Sequence, residues 1–218
     1  MSSFPNSPRI IKGGLVLLDP ASGQVRRVIT LQYNPDTLSR TLQVQGAADG
    51  ADRSEALRLT GPAIETFKLE AEIDAADQLE TPQQHRSVVE AGVAPQLAVL
   101  ESLVNPAAAD LLASKSLADA GTLEIAPMES ALALFVWGAN RIVPVRVSDF
   151  SITEEAFDAA LNPIRAKVSL GLRVLSIDDL GFDHKGGSLF MAYLQSRENL
   201  AARATDIGFD RLGIGGIS

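Results

Sequence analysis

Two histidines, His85 and His184, are the side chains in this sequence best suited to acid–base chemistry near neutral pH. Both lie in polar segments that we predict to be loops, where a lone histidine is more often solvated than catalytic. The sequence contains no G-x-S-x-G nucleophile elbow, no phosphate-binding G-x-x-x-x-G-K-[ST] loop and no H-E-x-x-H motif. A serine–histidine–acid set is compatible with the composition, but no motif supports one. We therefore predict no catalytic residue and no enzymatic activity.

Carboxylates cluster at one place, where Asp178, Asp179 and Asp183 precede His184. Oxygen-rich loops can bind hard cations, but the spacing here does not match an EF-hand loop. An acidic turn in front of a helix is also common without any metal. The sequence thus predicts no metal site.

Neither the paired glutamates nor the C-terminal glycines indicate a cofactor or a shared acid/base function. Glu154 and Glu155 are adjacent, and adjacent residues of a strand point to opposite faces. A dinucleotide site needs a helix directly after its glycine-rich loop. The glycines at positions 208, 213, 215 and 216 precede no predicted helix, so they do not indicate such a site. We predict no cofactor.

Composition narrows the classes of partner. The chain has 218 residues, of which 46% are hydrophobic, and it has no cysteine, which excludes disulfides and thiolate sites. Its formal charge of −8 disfavours binding to nucleic acid and to anionic lipid. The N-terminus lacks the apolar core of a signal peptide, and no segment reaches the length of a membrane span. These features predict synthesis and assembly in the cytoplasm and no direct membrane insertion.

Period-2 alternation predicts a mainly antiparallel β domain of six to eight strands. In the segment Glu65–Asp74, Phe67 and the alternate residues after it form an apolar face, and in Ile164–Leu175 the even-numbered residues do so. Further strands are predicted in Ile10–Leu18, Gln24–Tyr33, Leu38–Gln45, Ala131–Trp137 and Arg141–Val147. Asp19–Gly23 reads as a hairpin turn, and residues 46–56 as a loop. Pro144 indicates an edge strand or a bulge.

Apolar residues at helical spacing predict one or two inserted helices and a C-terminal helix. The inserted ones are Ala94–Val104, with Pro95 in the first turn, and a short helix near Ala108–Leu112. Ser188–Ala204 is predicted to be helical with Ser188 as its N-cap. We divide the chain into a flexible arm (1–8), a β domain (9–177) and a C-terminal helical extension with a glycine-rich tail (178–218).

Four ordered groups of residues resemble the tube-type proteins of contractile injection systems, a family that includes baseplate tube-initiator subunits related to phage tail proteins. The resemblance spans residues 10–177. The groups are Tyr33-Asn34-Pro35 with Leu38-Ser39-Arg40; Gly92–Ala98 with Leu100-Glu101; Phe135–Gly138 with Arg141, Pro144 and Val145; and Ile152–Glu154 with Phe157 and Leu161–Ala166.

This resemblance implies a tail-tube-like antiparallel β-sandwich rolled towards a barrel, with a helix packed beside it. It also implies a homo-oligomer, a ring of six copies that stacks on neighbouring tube, spike-hub and baseplate subunits of a phage-tail-like particle. Such a particle is either released or membrane-anchored. Members of the family often carry a C-terminal LysM module, but residues 178–218 show no LysM signature.

Two alternatives remain open at this level. The first is a monomeric β-sandwich binding module, for instance for carbohydrate, although aromatic residues are only 5% of the chain and such modules usually display them. The least favoured is a hydrolase with a site on its loops. The apolar stripe of the C-terminal helix, which includes Leu189, Phe190 and Tyr193, either covers its own β domain or docks on a neighbouring subunit.

Overall fold

The computed structural model of the chain describes residues 10–19, 22–46, 57–121, 130–204 and 209–215. Within these residues it contains seven strands, six α-helices and one 3₁₀ helix, Phe209–Leu212. The strands are β1 Gly14–Leu18, β2 Val25–Thr30, β3 Leu38–Gln43, β4 Ile64–Asp74, β5 Leu132–Val136, β6 Ile142–Phe157 and β7 Pro163–Val174. The helices are α1 Ala76–Leu79, α2 Arg86–Ala91, α3 Ala94–Glu101, α4 Ala108–Asp119, α5 Ile177–Leu180 and α6 Lys185–Ala201. The predicted arm 1–8 and most of the predicted loop 46–56 lie outside the described residues, as do two positions of the predicted turn, 20 and 21.

All seven strands belong to one sheet in the order β2-β1-β5-β6-β7-β4-β3. Each pair of neighbours is antiparallel. The predicted mainly antiparallel β fold with inserted helices and a C-terminal helix is confirmed.

The sheet is rolled so that its two halves face each other. Leu15 of β1 and Leu69 of β4 line the same small apolar cavity, although three strands separate β1 from β4 in the sheet. The side chain of Gln32 also spans the two halves. Its Nε2 donates to the carbonyl of Asp74 at 2.7 Å, and its Oε1 accepts from the Asp74 amide at 3.0 Å. This pair of bonds joins the segment after β2 to the end of β4.

The two clearest alternations of the sequence form the centre of the core. In β4, Phe67 is fully buried, and in β7 Val168 and Leu172 are fully buried as well. The intervening residues lie on the polar face, because successive side chains of a strand point to opposite faces. The predicted face of each strand is therefore confirmed.

The helical insert between β4 and β5 is larger than predicted. The predicted helix at Ala94–Val104 is present as α3, which buries Leu97 and Leu100, and α2 before it buries Val88. The short helices α1 and α2 have four and six residues, too few to show a helical period in the sequence. The predicted short helix near Ala108 is α4, which has twelve residues and none of them buried.

Pro144 was predicted to mark an edge or a bulge, and this prediction is wrong for its own position. Pro144 is buried in β6 opposite Leu134 of β5, and its carbonyl accepts from the Leu175 amide at 2.9 Å. The N–H and C=O of one strand residue point to the same side. The position of the missing N–H therefore faces Leu175. Because β7 ends at Val174, the proline removes no hydrogen bond between residues of β6 and β7.

The C-terminal helix packs on its own domain. Phe190 and Tyr193 of α6 are buried in the main core, and Leu189 packs against a second cluster on β1 and β5 that contains Leu18 and Leu132. His184, not Ser188, is the N-cap of α6 and accepts from the Gly186 amide at 3.0 Å. Of the two alternatives for the apolar stripe, the structure shows the packing in cis.

A buried carboxylate connects this helix to the sheet. Glu65 is 3% exposed and lies on the core side of β4. Its carboxylate accepts from Arg40 of β3, from the Tyr193 hydroxyl at 2.9 Å and from Arg197 at 3.3 Å. Burial, and then the charge of Glu65 and its hydrogen bond, raise the pKa of Tyr193. The cluster fixes α6 against β3 and β4.

Candidate assembly interface

The outer half of β6 is the longest strand edge that the described residues leave free. β5 pairs only with Ile142–Val145, whereas β7 pairs with β6 from Val145 to Phe157. Residues 146–157 therefore have a strand partner on one side only within the described part of the chain. A free edge carries unpaired N–H and C=O groups and is a template for pairing with another strand.

The direction of the free groups follows from the ladder. The carbonyl of Pro144 accepts from Leu175, so the odd-numbered residues of β7 direct their backbone groups towards β6. Thr153 and Glu155 lie opposite Lys167 and Arg165, and their backbone groups face β7. The backbone N–H and C=O of Glu154 consequently point away from β7, towards the free edge. The same holds for the residues two positions away from it in β6.

A bulge separates the paired and free parts of β6. The register of β6 against β7 shifts between Val147 and Asp149, opposite Gly171. A Cβ on Gly171 would lie 2.9 Å from the Cβ of Asp149, so only glycine fits without a shift of its neighbour. Bulges bend a strand and increase its twist, and this one lies just beyond the last residue that pairs with β5.

The polar face of the same three strands is cross-linked by ion pairs. Arg165 of β7 bonds Asp74 of β4 at 2.7 Å, and Lys167 lies 3.5 Å from Glu155 of β6. The hydrogen bond from the Ala76 amide lowers the pKa of Asp74, against its burial, and Arg165 adds to the effect. Arg165 and Lys167 thus lie on a solvated sheet face, with each side chain paired across strands.

The turn that joins β6 to β7 is rigidly braced. The carboxylate of Asp158 accepts from the side chain and the amide of Asn162 and from the Ala160 amide, each at 2.8 Å, and these bonds lower its pKa. Asn162 Nδ2 also donates to the carbonyl of Glu90 in α2 at 3.2 Å. Gly92 allows this approach, because a Cβ there would lie 2.0 Å from the Pro163 carbonyl.

The residues singled out in the sequence for chemistry do not converge. His85 precedes α2, whereas His184 caps α6. Asp179 completes a capping box with Ser176 and bonds Arg173 at 2.8 Å, so its carboxylate has a structural role. Asp178 and Asp183 lie on the exposed surface nearby.

Glu154 and Glu155 lie opposite different residues of β7, on opposite faces of β6, as predicted. Of the glycines near the C-terminus, 208 and 216 fall outside the described residues, and 213 and 215 are exposed. Among the residues that the structure describes, no three His, Asp or Glu side chains are arranged to hold a metal ion.

The exposed aromatic side chains of the described residues belong to separate segments of the chain. In the described ranges, Tyr33 lies between β2 and β3, Phe157 at the end of β6 and Phe182 between α5 and α6. No helix in this part of the chain is long and apolar enough to cross a membrane.

Comparison with solved structures gives a weak similarity. No protein-family model matches the chain, and no curated protein matches it. The chain is similar to a solved structure described as the tail of an empty GTA particle, computed with helical refinement in C6 symmetry. The identity is 12%, the TM-score is 0.29, and the match covers 75% of this chain and 90% of that one. These values do not assign the chain to a family.

Sequence reasoning missed the free half of β6, because it ended this strand at Val147. The alternation of apolar and polar residues continues beyond Val147, but a bulge interrupts it. Phe150 and Ile152 alternate with Ser151 and Thr153, yet the bulge after Val147 inserts one extra residue and shifts the phase. A search that allowed one phase shift would have continued the strand.

Proposed function

We propose that the chain is a structural, non-enzymatic subunit of a phage-tail-like contractile injection particle, in which it forms a ring of the inner tube or of the tube–baseplate junction. The observation that carries the proposal is the free edge of β6 at residues 146–157. A strand edge this long in a folded protein needs a cover or a partner. A neighbouring copy supplies the partner without any additional protein.

The two ends of the sheet support a ring in particular. Within the described residues, β2 pairs only with β1, and β3 pairs only with β4. A contact between an edge of one copy and a different edge of the next is heterologous, and it closes into a ring when the rotation between copies allows it. The number six and the neighbouring tube, spike-hub and baseplate layers come from the sequence resemblance at residues 10–177.

The same proposal gives residues 178–218 a place beside the β domain. Helix α6 fixes the extension to the sheet through Glu65. We propose that the subunit is assembled in the cytoplasm and acts without nucleic acid, cofactor or metal.

The decisive experiment blocks the free edge without breaking the fold. Glu154→Pro removes an N–H that points away from β7, whereas Thr153→Pro removes one that faces β7. We expect the parent chain to form an oligomer in light scattering and electron microscopy, and we expect Glu154→Pro to remain folded by circular dichroism but not to form it. Thr153→Pro should instead be unfolded or strongly destabilised. Rings of unchanged mass from the Glu154→Pro variant would refute edge pairing through β6.

A second test concerns the particle itself. Particles purified from the native host should contain this chain in a fixed ratio to the other tube and baseplate proteins, as measured by quantitative mass spectrometry. Tail-like particles that lack the chain entirely would refute the proposed function.

A further inference from the structure

Leu161, in the turn between β6 and β7, combines two features that a turn residue normally avoids. Its backbone has a φ of 64°, in the left-handed region that disfavours side chains other than those of Gly, Asn and Asp. Its side chain is 78% exposed, so packing within the domain does not explain the leucine. Strain of this kind persists only where the surrounding structure enforces it, and it is concentrated at functional sites.

The surrounding structure does enforce it. Asp158 and Asn162 hold the turn with their side chains, and Asn162 fastens it to Glu90 of α2. Two further apolar side chains belong to the same end of the domain, Phe157 at 50% exposure and Val89 at 46%. We name Val89, Phe157 and Leu161 the tip patch. It presents a leucine on a rigid turn, which lowers the entropy lost when a partner binds.

A second apolar surface lies at the opposite end of β4. Val44, Leu57 and Leu59 are 69%, 98% and 71% exposed. Gly46 pairs with Leu59 in an isolated antiparallel bridge, which places Val44 and Leu59 on the same face as diagonal neighbours. We name these three residues the connection patch, because they lie in the connection between β3 and β4.

The two patches lie at opposite ends of one strand. Gln43, next to the connection patch, pairs with Ile64 at the start of β4, and Arg165, close to the tip, pairs with Asp74 at its end. The eleven residues of β4 span about 33 Å at the usual rise per residue. The patches are too far apart to meet within one copy.

Their charges are complementary. Arg58 lies between the two leucines of the connection patch, and Glu90 lies beside the tip patch. Neither side chain takes part in an ion pair within the described part of the chain.

We propose that the tip patch of one copy docks on the connection patch of the next copy, with Leu161 between Leu57 and Leu59 and Glu90 facing Arg58. The contact is heterologous, so it repeats in one direction along the axis of β4 and does not close on itself in a dimer. It rests on the proposed function only in requiring that copies of this chain assemble with each other. Apart from Phe157, the residues of the two patches lie outside the free edge of β6.

The absence of cysteine from the chain permits a direct test. Leu161→Cys and Leu59→Cys variants are mixed in equal amounts and oxidised, and the disulfide-linked dimer is measured on a non-reducing gel. A disulfide forms only when the two Cβ atoms approach to about 4 Å, so it traps a weak contact with specific geometry. Leu111→Cys, on the exposed helix α4, is the control partner at 51% exposure.

We expect the mixture of Leu161→Cys with Leu59→Cys to give at least fivefold more dimer than Leu161→Cys with Leu111→Cys. Leu161→Asn in the Leu59→Cys chain removes the leucine from the tip patch of that chain. This tip patch should then no longer compete with the Leu161→Cys chain for connection patches, and the melting temperature of the chain should not fall. The charge exchange Glu90→Arg should reduce the yield, and Arg58→Glu on the partner should restore it. Equal yields for the two mixtures, or no effect of the charge exchange, would overturn the proposal.

The outcome is independent of the ring. Glu154→Pro in both cysteine variants should abolish the ring while the Leu161–Leu59 cross-link still forms. In chains that keep Glu154, loss of the cross-link with a persistent ring would refute the contact between the two patches and leave the proposed function standing. In the same chains, a cross-link without a ring would refute edge pairing and leave the contact between the patches standing.

Discussion

The hydroxyl of Tyr193 donates a 2.9 Å hydrogen bond to the carboxylate of Glu65, although 128 positions separate the two residues in the chain. This bond, with those from Arg40 and Arg197, places an acidic side chain inside the domain where helix α6 meets the sheet. Removing one member of such a cluster leaves a buried charge without its partner.

The first prediction concerns this cluster. Glu65→Ala should reduce the free energy of unfolding by about 3–5 kcal/mol, because two arginines lose a buried counter-charge. Tyr193→Phe removes only one hydrogen bond and should cost about 1–3 kcal/mol. Urea denaturation measures both. The exposed Glu70 of the same strand provides the control, since Glu70→Ala should change stability by less than about 0.5 kcal/mol. Equal effects at Glu65 and Glu70 would contradict the assigned role.

The second prediction concerns the core face of β7. Leu170 is 1% exposed, so Leu170→Asp buries an unpaired charge and should prevent recovery of folded, soluble protein. Lys167→Asp, on the solvated face, loses only the surface contact with Glu155 and should remain folded. Soluble yield and circular dichroism distinguish the two. Comparable loss of folded protein for both variants would mean that the strand face is wrongly assigned.

The third prediction concerns acid stability. The amide of Ala76 first, and then Arg165, hold the pKa of Asp74 below its ordinary value of 3.8, in spite of partial burial. A carboxylate with a lowered pKa in the folded state contributes stability above its unfolded pKa and loses it as the pH falls. The melting temperature of the parent should therefore fall more steeply below about pH 4 than that of Asp74→Asn. Parallel melting curves for the two chains from pH 5 to pH 3 would exclude this contribution.

The fourth prediction concerns the strained turn. Leu161→Asn places a residue that tolerates left-handed backbone at a φ of 64°, and it should raise stability by up to about 1 kcal/mol. The neighbouring Ala160→Asn has no such strain to relieve and should stay within about 0.5 kcal/mol of the parent. Thermal melting compares them. A loss of stability in Leu161→Asn would show that the leucine side chain packs within its own domain.

The fifth prediction concerns the C-terminal segment. Truncation after Gly186 removes most of α6 with Phe190 and Tyr193, so it exposes both apolar clusters and should give insoluble protein. Truncation after Ala204 keeps the whole helix and should give a soluble, folded domain. Soluble yield and size-exclusion chromatography measure both. A folded product from the shorter chain would show that the helix is not needed by its own core.

The sequence alone determined the class of fold and the buried face of its central strands. In β4 and β7 the alternation is local and complete, so the hydrophobic effect permits only one face to be buried. The residues of α6 also carried enough helical period to place the helix. Neither the short helices α1 and α2 nor the continuation of β6 past its bulge had an uninterrupted period, and these elements were missed.

Only the tertiary structure decided how distant residues meet. Glu65 reads in the sequence as the polar start of a strand, and its burial follows from partners on β3 and α6. Leu161 and Leu59 read as ordinary apolar residues of connections, and their exposure at opposite ends of β4 is a property of the folded sheet. The free edge of β6 depends on where β5 ends. Such relationships depend on which strands and helices become neighbours, and a local pattern of residue types does not encode them.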